Sequence, residues 1–233
     1  RIRSRPKSAT CHPMVHHTGV MRTARRAPLA APSADTRQRF VALLIGVLAA
    51  SVGGLVLASA GDTLRELPGL LLLVPGAIAL RGNVFGAMGS RLGTAVHAGT
   101  FRLGLRPEGV VGQNLMAATV LTLLLSVVLA VLARGTAIVF GISPTMTLAD
   151  FVVISACGGL LASVGVGLAT LGLAAGSVRF GWDLDNVMAP LVGTLGDLAT
   201  VPALVVAARL AGAGDLTGVL AWLLAAAAAV SLV

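Results

Sequence analysis

A chain of 233 residues that is 56% apolar and only 11% charged, with a mean hydropathy of +0.94, is not a soluble domain, in which charged residues make up about 25%. Its formal charge of +8 is local, because residues 1–39 hold nine Lys or Arg against Asp35 while from residue 40 onward eight Arg balance eight acids. With no aromatic residues among the tail arginines, this balance fits a membrane surface and the positive-inside rule better than nucleic acid.

Residues 1–39, rich in Arg, Pro, Ser and Ala, are expected to form a disordered basic tail. The first residue is not Met, and Met14 and Met21 are candidate starts. Cys11, His12, His16 and His17 have the ligand types of a soft-metal site, but an irregular cluster in such a tail is usually nothing, and no disulfide to Cys157 is expected. Residues 40–60 are long enough to cross about 30 Å of hydrocarbon. Ala58, Ser59 and Ala60 imitate a signal-peptidase site, but the run exceeds the usual ~7–15 residue signal core, so a retained helix is expected. Further spans are expected over residues 67–99, 112–133, 148–176 and 184–210. An apolar run over 216–233 follows, an additional or interrupted span. The fold class is all-α integral membrane protein: a five-helix transmembrane unit plus a sixth C-terminal apolar segment.

The fifth span carries the candidate site. Asp197 lies in the middle of an apolar stretch, where an acid costs about 2.5–3.5 kcal/mol against roughly 0.3–0.6 gained per Leu or Val. Helical spacing brings Asn186, Pro190, Gly193, Thr194 and Thr200 towards its face. Pro190 leaves the carbonyl of Asn186 without its helical donor, and Pro202 does the same for Leu198. In the second span, Asn83, Gly86, Ser90, Thr94 and His97 form another small, polar stripe, and Pro75 frees the carbonyl of Leu71. Arg81 is expected either near the inner interface or paired with an acid such as Asp197. Asp183 and Asp185 read as caps of the fifth span. Arginines in the tail and at Arg102 and Arg106 place the N-terminus in the cytoplasm, most simply of a plasma-membrane protein.

Two stretches, PGAIALRGNVFGAMGSRLGTAVHAG over residues 75–99 and LDNVMAPLVGTLGD over 184–197, resemble the MgtE-type magnesium transporters and their solute carrier family 41 relatives. That family has a Gly-Asn motif in its second helix and a Pro, then Leu-(Gly/Ser)-Asp, in its fifth. The resemblance implies that Asp197 is a pore carboxylate below the turns of Pro190, Gly193 and Thr194. It also matches Gly82 and Asn83 to the Gly-Asn motif, and Ser90, Arg91 and Leu92 to the solute-carrier branch. Arg81, where bacterial relatives have Gly, is a departure. The implied function is transport of a divalent cation, foremost Mg²⁺, through a pore between two paired units, either a homodimer or two homologous halves. The ion is cargo, and no resident cofactor is expected.

The ion chemistry agrees with this reading. Mg²⁺ gives up its waters reluctantly, so one carboxylate among hydroxyls, an amide and free carbonyls suffices for a largely hydrated ion. An enzyme is not expected, since an aspartyl protease's Gly-x-Gly-Asp is off by one at Gly193 to Asp197, no Tyr occurs, and His97 has no Gly-x-Ser partner. The alternative of another class is a non-transporting helical subunit of a larger permease, with Asp197 as an assembly ion pair.

Overall fold

The computed structural model describes residues 34–142, 146–211 and 216–231. The chain divides into two units, Arg1–Ala31 and Pro32–Val233, and the first, with most of the expected tail, lies outside the described residues.

The described residues of the second unit form seven helices: α1 (Ala34–Ser59), α2 (Gly61–Glu66), α3 (Gly69–His97), α4 (Val110–Val139), α5 (Leu148–Phe180), α6 (Leu184–Ala211) and α7 (Leu216–Val230). There is no strand among the described residues. Five of the helices, α1, α3, α4, α5 and α6, are long and apolar enough to cross a membrane. The sixth apolar segment is present as α7, whose 15 residues fall short of the ~20 a crossing needs. It lies against α4 and α5.

Two boundaries correct the sequence expectation. Residues 34–39, assigned to the tail, are the opening turns of α1: Asp35 complements the helix dipole there, and Arg39 Nε donates to Asn186 Oδ1 and ties the turn to α6. The polar stretch after α1 is also partly helical, as the single short helix α2.

Helix ends follow local chemistry. At the start of α5 the Thr147 hydroxyl accepts from the Asp150 N–H (3.3 Å), and the Asp150 carboxylate accepts from the Thr147 N–H (2.6 Å). Replacing Thr147 with Ala is expected to cost about 1 kcal/mol, read as a small drop in melting temperature in detergent. At its other end α5 stops at Gly181, whose φ of 68° an L side chain would resist.

The spans alternate in direction. Gly46 lies against Pro190 and Gly53 against Leu198, so α1 runs parallel to α6. Gly89 meets Met188 and Gly93 meets Asp185, so α3 runs antiparallel to α6. The centre is α5, with 67% of its most apolar window buried; α1, at 17%, is peripheral.

The interior has three levels. One apolar cluster, with Leu70, Leu73, Phe151, Ile154 and Leu204, fills one end, and a second, with Phe85, Met88, Leu92, Leu184 and Val192, fills the other. Between them, on four helices, lies a polar layer: Arg81 of α3, Thr122 and Ser126 of α4, Ser163 of α5, and Thr200 of α6, every one buried. Asp197 belongs to this middle level.

Candidate functional site

Glycines let α3 and α6 touch near one end, since a Cβ on Gly93 would come within 2.9 Å of Asp185 Oδ1. Elsewhere along this pair the same residue type does the opposite. A Cβ on Gly82, Gly86 or Gly193 would meet nothing within 4 Å, so these glycines leave backbone uncovered on an open face. Between the two helices runs a groove of about 610 Å³, lined by Gly86, Ser90 and Thr94 of α3 and by Asp185, Met188 and Ala189 of α6. Asn83, exposed, continues the α3 wall one turn further towards mid-membrane.

On α6 the groove wall continues at intervals of four residues: Asp185, Ala189, Gly193, Asp197. Such residues stack along one side of a helix. Asp197 is half-buried at the level of the polar layer, and among the described residues it makes no ion pair or hydrogen bond. An unpaired carboxylate on an open, glycine-rich face can attract a cation without first breaking a salt bridge.

The expected stripe divides. Gly86 and Ser90 line the groove; Gly82, Asn83, Gly193 and Asp197 lie beyond its lining and follow on from it by helical spacing. Pro190 and Thr194 turn instead to α1, where Gly46 admits them; a Cβ on Gly46 would lie 3.5 Å from the Pro190 carbonyl oxygen and 3.6 Å from Thr194 Cγ2. The Thr194 hydroxyl donates back to Pro190 O at 2.8 Å. Asn186 is buried, accepting from Arg39 and donating through Nδ2 to Asp183 Oδ2 at 3.0 Å. Thr200 is buried and donates to Gly196 O. Pro75 is exposed on α3, more than two turns from the groove residue Gly86.

Arg81 corrects both of its expectations. It is fully buried and reaches neither an interface nor Asp197. Its Cβ backs onto Gly196 of α6, and its guanidinium lies against Gly159 of α5, a glycine that Ser126 of α4 also faces. One guanidinium nitrogen donates to Ala77 O at 3.4 Å; Nε and Nη2 have no partner among the described residues, nor do the Ser126 and Ser155 hydroxyls.

Sequence reasoning missed Asp185 as a groove residue. Asp183 is the cap, its Oδ1 accepting from the Asp185 N–H at 3.1 Å, which frees the Asp185 side chain for the groove. His97, Asp183 and Asp185 each bring one potential metal-ligand atom within 4.8 Å of the others at this mouth. The signal was the four-residue series leading back from Asp197.

Comparison with known proteins places residues 74–207 in a match to the family described as "MgtE: Divalent cation transporter". Solute carrier family 41 member 3 of Rattus norvegicus is 28% identical over 172 residues, 71% of this chain and 37% of that protein. Solute carrier family 41 member 2 of Gallus gallus is 27% identical over 183 residues, 76% of this chain and 31% of that protein. The chain thus spans about a third of the length of these curated relatives. No solved structure matches.

Proposed function

The chain belongs to the MgtE divalent cation transporter family, and from that premise we propose that it carries a hydrated divalent cation, Mg²⁺ foremost, across the plasma membrane along the open face of α3 and α6. The observation that carries the proposal is Asp197, half-buried, at mid-depth on that face and without an ion pair or hydrogen bond among the described residues. Mg²⁺ holds its water shell tightly, so a route for it needs width and acceptors for water protons more than a tight cage. The groove offers width; the Ser90 and Thr94 oxygens and the uncovered backbone at Gly82, Gly86 and Gly193 offer acceptors. Asp185 concentrates cations at the mouth, and Asp197 supplies charge where hydration by bulk water is lost.

The α3 and α6 groove bounds such a route on one side only. A second copy of the chain, or a homologous half, supplies the other by laying its own α3 and α6 opposite. The N-terminus is cytoplasmic in this arrangement: Arg37, Arg39, Arg91, Arg102, Arg106 and Arg179 lie at the end of the bundle where α1 begins, against Arg65, Arg134 and Arg209 towards the other.

The test is flux into liposomes loaded with a Mg²⁺-sensitive dye. Wild-type protein is expected to conduct, and Ser90→Trp, which fills the groove from an exposed position, to lower the rate roughly tenfold with oligomer size unchanged. Unaltered flux through Ser90→Trp would move the route elsewhere, and absence of any divalent flux from folded wild-type protein would end the transport reading.

A further inference from the structure

The outermost span leaves a second, different groove. Where the first turns of α1 pack on α6, facing α5, there is an open cleft of about 620 Å³, within the size range of ligand pockets. Its walls are apolar, with Val41 and Ile45 from α1, Leu173 from α5 and Leu191 from α6, and the indole of Trp182 stands at one end. That ring is held in place: the Ser177 hydroxyl donates to the Trp182 carbonyl at 2.7 Å, Phe180 lies 5.6 Å away centroid to centroid, and Gly176 leaves room for the indole. Arg37 and Gln38, in the first turn of α1, supply the polar lining.

We propose that this cleft binds one anionic glycerophospholipid, with an acyl chain along Val41, Ile45, Leu173 and Leu191 and the phosphate-bearing headgroup at Arg37. Three observations carry it. The polarity is graded with depth: Ile45 is eight residues below Arg37, about 12 Å along the helix, so a charged mouth at the membrane surface leads into an apolar channel. The cleft opens beside the least buried span, whose Phe40, Leu44, Val47 and Leu48 are exposed apolar side chains that a bilayer would cover, so a lipid chain would meet the cleft directly and water gains nothing there. The charge is complementary, since Arg37 is exposed without an ion pair among the described residues, while Arg39 beside it is engaged by Asn186. The preceding segment, residues 1–33, is poor in large apolar side chains and is a weak substitute for an acyl chain.

The probe is Trp182 fluorescence in the full chain carrying Trp222→Phe, which removes the other indole, one that is 79% exposed on α7. The protein is reconstituted into phosphatidylcholine vesicles containing dibrominated phosphatidylglycerol or, in parallel, dibrominated phosphatidylcholine at the same mole fraction; bromine quenches only on near contact. Phosphatidylglycerol is expected to compete for the site about fivefold better, the preference one basic residue gives near an anionic lipid. Arg37→Gln should bring the ratio to near one and Arg37→Lys should restore it, whereas Arg106→Gln, a basic residue at the same end but outside the cleft, should leave it unchanged. Equal quenching by the two lipids in the Arg37 protein overturns the proposal, as does a preference that survives Arg37→Gln. Absence of quenching by either lipid also overturns it, by showing the cleft covered by protein. None of these readouts depends on whether the chain transports an ion.

Discussion

Asp197→Asn is expected to lower divalent cation flux about a hundredfold while leaving the folded protein intact. At an effective dielectric of about 20, two unit charges 4 Å apart interact by roughly 4 kcal/mol, and a divalent ion doubles that; if hydration changes cancel two thirds, about 2.7 kcal/mol remains, two decades in rate. The fold should not suffer, because Asp197 has no ion pair or hydrogen bond among the described residues to lose, and a neutral amide crosses the bilayer more cheaply than a carboxylate. Liposome flux and a thermal melt on the same preparation check both halves. A variant that conducts normally would remove the carboxylate from the route. One that falls apart into single folded chains would make Asp197 an assembly contact.

The second large effect lies in the polar layer. A Cβ on Gly159 would run into Arg81 Nη2 and lie 2.7 Å from Ser126 Oγ, in a region where Arg81 and Ser126 are both fully buried. Gly159→Ala is therefore expected to cost about 2–3 kcal/mol, the usual penalty of overpacking a close-packed interior. Arg81→Ala removes the nearer of the two obstacles and opens space into which the Ser126 hydroxyl can turn. In that background Gly159→Ala should cost less than about 1 kcal/mol, so the double-mutant cycle should show coupling well above the few tenths expected of independent sites. The measurement is melting in detergent for the four proteins; additive losses would mean that the guanidinium lies elsewhere.

The spans were legible because apolar runs of membrane length are hard to mistake, and the breaks near Pro68, Gly109, Thr147 and Gly181 separate them. The ends were less so. Residues 34–39 read as tail since composition cannot register a helix whose stability comes from a tertiary tie such as Arg39 to Asn186. The candidate site was half legible for a related reason. A helical wheel for α6 gathers Asn186, Pro190 and Thr194 with Asp197, but it cannot say that Gly46 and Gly53 let α1 come close and cover that flank. The i, i+4 series through Asp185, Ala189, Gly193 and Asp197 was in the sequence all along, hidden by reading Asp185 as a cap when Asp183 holds that position. Arg81 could not be placed, because Gly159 and Ser126 at the end of its side chain come from α5 and α4, helices whose Ser and Gly residues carry no mark of facing a charge.

Only Gly181, Trp182 and Asp183 separate α5 from α6, and the left-handed backbone at Gly181 turns the chain back on itself. During synthesis this ties the two helices into a single hairpin, so the segment burdened with a carboxylate and two prolines need not partition into lipid by itself. Its passage is underwritten by the strongly apolar neighbour that emerges just before it, and the acid reaches the middle of the bilayer already sheltered on one flank.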